Sequence, residues 1–205
     1  MVSRLLIGVL ALQGGFQRHL VMLERIGVRT IEVRYAHQLE KCDALVLPGG
    51  ESTTMTHLLL TENLWEPIHE FVQAHPVFGT CAGAILLSQN AHDTRVKPFG
   101  VLDVEADRNA YGRQVESFIT ILNLAEIGCD AYEAVFIRAP QLKLASNRVQ
   151  VLGSENGRAV LLRQNNGLAA TFHPELTQDP AIHRYFVESM VRKSLTITNK
   201  AQANV

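Results

Sequence analysis

Apolar positions in the first half of the chain follow two alternating rhythms. Leu5 to Leu12 is a nearly unbroken apolar run, the pattern of a strand buried on both faces, and it passes into Gln13-Gly14-Gly15. Phe16, Leu20, Leu23 and Ile26 then recur at helical spacing. "VRTIEVR" reads as a second strand and "DALVLPGG" as a third, closed by a Pro-Gly-Gly turn. Residues 53–74 read as helix, in two pieces around Pro67, and "PVFG" as the fourth strand. This β-α-β-α order predicts a mostly parallel sheet covered on both faces, a three-layer α/β domain. In such sheets sites form at the carboxyl ends of strands, where "PGGES" and "GTCAG" fall.

The second half changes character. From Val101 to Phe172 the strand-like runs "VLDVEA", "VESFITIL", "AVFIRA", "VQVLGS", "AVLLRQ" and "LAATF" are separated by turn signals. Glu155-Asn156-Gly157 and Asn165-Asn166-Gly167 read as hairpin turns, so a mixed or antiparallel extension of the same sheet is expected. "DPAIHRYFVESMVRKSL" reads as a closing amphipathic helix capped by Asp179, with Pro180 at its first position. The pattern thus predicts a single domain over residues 1–195, followed by a polar, flexible tail at 196–205.

Composition narrows the class. A chain of 205 residues, 47% hydrophobic, is long enough to bury one substantial core. A formal net charge of −1 supplies no electrostatic footprint for nucleic acid or an anionic membrane surface. "MVSRLLIGVLALQGG" has a basic residue before an apolar run, but strand, glycine turn and helix explain it better than a signal peptide. No apolar stretch reaches the ~20 residues of a membrane span, and neither partner is expected. Cys42, Cys81 and Cys129 are odd in number and lack metal-ligand spacing, which suits a reduced, cytoplasmic setting.

Candidate chemistry centres on "FGTCAG". A lone cysteine in an apolar segment is usually inert packing. Here Gly79 and Gly83 allow a tight strand-to-helix turn with Cys81 at its apex, the arrangement of a nucleophile elbow with sulfur in place of hydroxyl. Unpaired N–H groups at the helix start favour a thiolate, and the Ala82 amide would face an oxyanion formed beside it. "LAATFHPELTQD" offers His173 as base and Glu175 as its orienting acid, with Pro174 stiffening the link. For most of the eight histidines a surface role is the ordinary reading. A metal reading of His-x-Glu lacks the later Pro-Cys-x-x-Cys that zinc deaminases need. "LPGGESTTM" is not a P-loop, but its glycine turn can aim N–H groups at an anion, and Gly50 is the natural second oxyanion donor.

Taken together, "LALQG", "LPGGESTTM", "FGTCAG", "RNAYGRQVESF", "FIRAP" and "FHPELT" resemble the glutaminase subunits of pyridoxal 5′-phosphate synthase, within the class I (triad-type) glutamine amidotransferases. The resemblance runs from about Ile7 to the closing helix. It implies a flavodoxin-like fold and hydrolysis of L-glutamine through a cysteinyl thioester, with Cys81, His173 and Glu175 as the triad. It further implies that Gly50, Glu51, Ser52, Arg108, Ile137 and Arg138 hold glutamine, and that ammonia passes to a synthase subunit. No metal or cofactor is implied, pyridoxal phosphate included. Asp107 departs from the glutamate expected before Arg108. Two other readings of the same residues stay open: a different hydrolase or glutaminase on the same elbow, and a binding protein whose Cys81 senses oxidants.

Overall fold

The strands that alternate with helices carry side chains buried on both faces, and that burial organises the molecule. The structure is a computed structural model that describes residues 5–108 and 117–203. In chain order the first half holds β1 (Leu6–Leu10), α1 (Phe16–Arg25), β2 (Arg29–Val33), α2 (Ala36–Leu39), β3 (Ala44–Leu47), α3 (Ser52–Thr61), α4 (Trp65–Ala74), β4 (Val77–Thr80) and α5 (Ala82–Leu87). Then come β5 (Ser88–Asn90), β6 (Leu102–Asp107), β7 (Phe118–Leu124), β8 (Cys129–Phe136), β9 (Gln141–Leu144) and β10 (Gln150–Glu155). The chain continues with β11 (Arg158–Gln164), β12 (Gly167–Ala170), α6 (Ala181–Phe186) and α7 (Arg192–Ala203).

Seven strands form the central sheet in the order β10-β11-β12-β4-β3-β1-β2. From β2 to β12 all pairings are parallel; β11 and β10 add antiparallel edges. Period-two alternation sends successive side chains of β3 to opposite faces. Leu45 and Leu47 pack with α3, α4 and α5, whereas Ala44 and Val46 pack with α1 and α6. Two apolar layers around one sheet make the three-layer α/β architecture expected from the sequence.

The second half departs from the expectation in detail. Only β10, β11 and β12 extend the central sheet; β5-β6-β9 and β7-β8 form two small separate sheets. β5 is a three-residue strand without a pattern of its own, β9 alternates over only four residues, and the four-residue α2 is too short to show helical periodicity. The break between α3 and α4 lies at Glu62–Leu64, with Asn63 at φ 53°, not at Pro67. Pro67 is the third residue of α4, where a backbone N–H has no intrahelical partner to lose. β8 begins at Cys129 and stops at Phe136, which frees Ile137–Pro140 as a loop.

The Glu155–Gly157 hairpin holds, with Asn156 and Gly157 at φ 50° and 75°, the signs a type I′ turn requires. The closing helix starts one residue later than expected: Pro180 is the N-cap of α6, and Asp179 just before it accepts the Ala181 N–H at 2.9 Å. That helix contains a π turn at Val187–Val191 and continues to Ala203, so the polar stretch expected to fray is helical as far as it is described. Residues 109–116, and with them most of "RNAYGRQ" and the start of "VESFITIL", lie outside the described residues.

A close backbone approach brings α5 onto β3. A Cβ at Gly83 would sit 2.0 Å from the Leu47 carbonyl oxygen. Gly83→Ala is therefore expected to lower stability by about 1–3 kcal/mol or more, read as a lower urea midpoint. An unchanged midpoint would mean that α5 and β3 do not pack this closely.

Candidate active site

β4 delivers Cys81 to the carboxyl edge of the sheet, and the following residue already begins α5. Cys81 has φ 47° and ψ −103°, a conformation that side-chain-bearing residues avoid at a cost of order 1–3 kcal/mol. The flanking glycines do not carry this strain. A Cβ at Gly79 would meet the Gly83 carbonyl at 2.6 Å, and Gly83 meets Leu47 as above, so both glycines supply room for the helix. The elbow is held by Cys81 N–H donating to Ala170 O at 2.9 Å and Ile85 N–H donating to Cys81 O at 3.2 Å.

His173 arrives from the neighbouring parallel strand β12, and its N–H is fixed on Val135 O at 2.9 Å. Pro174 opens a short 3₁₀ turn (Pro174–Leu176) that folds Glu175 back beneath the imidazole. His173 Nδ1 lies 2.8 Å from Glu175 Oε1, and Cys81 is close enough to the ring to raise its proton affinity. Burial works against a charged His173, yet its neighbours Cys81 and Glu175 push its pKa up to about 10. Burial likewise opposes ionisation of Glu175, but the neighbouring imidazoles of His19 and His173 hold its carboxyl below the usual range.

Gly49 completes the floor. A Cβ there would lie 2.5 Å from His173 Cε1 and 3.4 Å from Cys81 Cβ, so only glycine fits between them. The Gly49 carbonyl accepts from Gly15 N–H at 3.3 Å, and a trans peptide then turns the Gly50 N–H the opposite way. Gln13 brackets the Glu51 backbone, its Nε2 donating to Glu51 O at 2.8 Å. Ala82 is the first residue of α5, so its N–H has no partner within the helix.

These groups border a cleft of about 510 Å³, lined by Gln13, Gly50, Glu51, Ser52, Cys81, Ile85, Arg108, Ile137, Arg138, Pro140 and His173. Of the residues named from the sequence, Gly50, Glu51, Ser52, Cys81, Arg108, Ile137, Arg138 and His173 line it, Glu175 stands behind His173, and Ala82 follows Cys81 at the start of α5 without lining the cleft. The Ile137 carbonyl lies 4.0 Å from Cys81 Sγ, and Arg138 follows at φ 44°. Ser52 Oγ is buried without a hydrogen-bond partner. Glu51 is already engaged: its carboxylate caps α3 through Thr54 N–H at 2.6 Å and pairs with Arg108. Burial opposes that charge, but hydrogen bonds from Thr53 and Thr54 bring its pKa down to about 2. Arg108 also bonds Asp93 at 2.8 Å, so the arginine is aimed from two sides.

Sequence reasoning missed Gln13, Gly49, Ile85, Asp93 and Pro140 as site residues, and two buried histidines, His19 and His183. His19 was legible in part: it falls between Phe16 and Leu23 on the apolar face of α1. Contacts of Gly49 were not, because they join three separate strand ends.

A parallel sheet of this order with a cysteine elbow is the fold of the class I glutamine amidotransferases. A solved glutamine amidotransferase structure superposes with a TM-score of 0.82 at 43% identity, covering 89% of this chain and 97% of that one. The structure of PurLQS from Thermotoga maritima shares the fold at a TM-score of 0.60 and 14% identity, over 91% and 99% of the two chains. The model of the SNO glutamine amidotransferase family matches residues 9–192, and the chain belongs to that family. Pyridoxal 5′-phosphate synthase subunit PdxT of Carboxydothermus hydrogenoformans is 46% identical over 187 residues, 91% of this chain and 98% of that protein. Its counterpart in Pelotomaculum thermopropionicum is 49% identical over 187 residues, 91% and 95% of the respective lengths.

The raised pKa of His173 makes a stability prediction. A folded-state pKa above the unfolded value stabilises fully below pH 6.5 and loses that contribution as pH rises through about 10. The melting-temperature gap between wild type and His173→Asn is thus expected to narrow steadily from pH 6.5 to 10. A gap independent of pH would show that His173 gains no charge stabilisation on folding.

Proposed function

We propose that this chain hydrolyses L-glutamine to L-glutamate and ammonia, as the glutaminase subunit that supplies a pyridoxal 5′-phosphate synthase subunit. Family membership and relatives that are themselves pyridoxal 5′-phosphate synthase subunits support the reading. The observation in this chain that carries it is the set Cys81–His173–Glu175 at the floor of a polar cleft. An oxidant-sensing thiol alone would leave the paired His173 and Glu175 without a purpose.

The chemistry follows from the geometry. Cys81 thiolate attacks the side-chain carbonyl carbon of glutamine, and the carbonyl π electrons move to oxygen. That oxyanion is held by the N–H groups of Gly50 and Ala82. His173, protonated and backed by Glu175, gives its proton to the departing nitrogen, which leaves as ammonia. His173 then takes a proton from water, whose oxygen attacks the thioester, and glutamate departs as the thiolate re-forms. Glu51, Ser52, Arg108, Ile137 and Arg138 hold the glutamine backbone end, with Arg108 suited to its α-carboxylate. Ammonia released into neutral water is mostly protonated and non-nucleophilic, so a sheltered path to the synthase subunit is part of the proposal. Three free cysteines suit a reducing cytoplasm, and among the described residues no helix is long and apolar enough to cross a membrane.

Cys81→Ala is expected to abolish glutamate release, with the fold intact by circular dichroism. Cys42→Ser and Cys129→Ser leave turnover unchanged: burial pushes the Cys42 thiol up to about 11 and raises Cys129 also, away from a reactive thiolate. A glutamine-mimicking electrophile accordingly labels Cys81 by mass spectrometry; an adduct on either other cysteine, or a turning-over Cys81→Ala, defeats the proposal. Glu175→Gln should cut kcat far more than it raises KM, by up to about 10⁴ on the precedent of other triads. An unchanged kcat with raised KM would make Glu175 a substrate contact.

Turnover is also expected to rise when the synthase subunit binds. The Gly50 N–H direction depends on a long Gly15–Gly49 bond of 3.3 Å and on the Gln13 bracket, both at the mouth of the cleft. A partner pressing there can select the peptide orientation, and one oxyanion donor is worth roughly a hundredfold in rate or more. Steady-state glutamate release without and with excess synthase subunit tests this, and equal kcat/KM in both would refute it.

A further inference from the structure

Behind the cleft lies a second row of imidazoles that the reaction above does not use. His19 on α1 and His183 on α6 are both fully buried. His19 Nδ1 and His183 Nε2 are 2.9 Å apart. His19 Nε2 is 3.2 Å from Thr80 Oγ1, next to the elbow cysteine, and 3.4 Å from Glu175 Oε2. Glu175 Oε2 is itself buried with no hydrogen-bond partner, and so is His183 Nδ1.

Tautomers decide what this row does. If His183 donates from Nε2 to His19 Nδ1, then His19 carries its proton on Nε2, facing Thr80 and the carboxylate. The leftover His183 Nδ1 is then only an unpaired acceptor. In the reverse assignment His19 presents a bare nitrogen to a carboxylate oxygen, and His183 buries an unpaired N–H, which is the costlier arrangement. We propose that His19 is a positioning residue for the glutaminase reaction: its Nε2–H, set by His183, faces the rear oxygen of Glu175 and keeps the front oxygen on His173.

The proposal rests on the glutaminase reading above. At 3.4 Å the contact is a charge–dipole interaction rather than an aligned hydrogen bond, and the proton is shared with Thr80. Burial lowers the pKa of His19 and drops that of His183 well below the ordinary value, so both rings are neutral dipoles at neutral pH. The titratable groups around the row are Glu175 and His173 after β12, Cys81 on the elbow and Tyr132 on β8; Phe78 closes it with edge-on rings. Losing the dipole removes a neighbour that favours ionised Glu175, and with it the counter-charge for His173.

The test is pH-resolved glutaminase kinetics of the full chain with its synthase subunit, comparing wild type, His19→Leu and His19→Gln. Outer partners of metal-ligating histidines are worth about 10–100-fold, and a loss of that order is taken for the partner that orients Glu175. His19→Leu is expected to lose that much kcat at unchanged KM, and the acid limb of its kcat profile moves to higher pH. His19→Gln restores a donor near the Nε2 position and recovers most of both changes. A folded His19→Leu with wild-type kcat and limb overturns the proposal, as does a His19→Gln no better than the leucine variant. Should His19→Leu not fold, imidazole ¹⁵N spectra of wild type decide: a neutral His19 protonated on Nε2 supports the proposal, and protonation on Nδ1 overturns it. Cys81→Ala runs as control, since residual turnover there sinks the glutaminase reading itself and not merely the role of His19.

Discussion

Everything at the carboxyl edge of the sheet depends on how closely α5 can lie against β3 and β4. That approach is possible only because Gly79 and Gly83 present no Cβ to each other or to the Leu47 carbonyl. With the helix so near, the chain must reverse within one residue, and Cys81 takes up the disfavoured φ of 47°. The strain is local, and the support is distributed: Ala170 O on one side, the first turn of α5 on the other. A thiol held this way cannot relax into the core, where Cys42 shows what becomes of a buried cysteine.

The neighbouring strands then supply the rest by adjacency. β3, β4 and β12 are parallel neighbours, so their carboxyl ends bring Gly49, Cys81 and His173 to one line without any long excursion of chain. Gly49 is the hinge of this meeting, since its missing side chain is what lets imidazole and thiol share a floor. Charges are layered outward from there. Glu175 is buried and held ionised by imidazoles, His173 is raised between Glu175 and Cys81, and Glu51, Arg108 and Asp93 form an outer ion-paired rim. The layering separates a low-dielectric interior that tunes proton affinity from a wetter rim suited to recognising a charged small molecule.

Much of this was legible in one dimension because it rests on local rules. Uniform apolar runs mark strands covered on both faces, so β1, β3 and β4 stand out, while Gly-x-Cys-x-Gly and His-Pro-Glu keep their partners within a few residues. The Glu155–Gly157 turn was equally plain, because its backbone signs demand those residue types. Where the prediction slipped, the deciding contact was remote. Pro67 suggested a helix break, but its place in the first turn of α4 makes it harmless, and Asn63 carries the break instead. β5 is a strand because β6 lies beside it, and the QLKL alternation of β9 spans only four residues.

By itself the sequence determined the three-layer class, the parallel half-sheet, the elbow and the pairing of His173 with Glu175, since each depends on side chains close in the chain. Tertiary structure alone decided that Gly49 separates His173 from Cys81 and that Glu51 spends its charge on α3 and Arg108. It alone placed His19 and His183, 164 residues apart, in contact behind Glu175. Helical spacing shows that a histidine points inward; only the packing of α1 against α6 and β4 shows what it meets there. The reason is physical: burial is a property of periodicity, whereas the partner of a buried polar group is chosen by whichever element the fold brings opposite it.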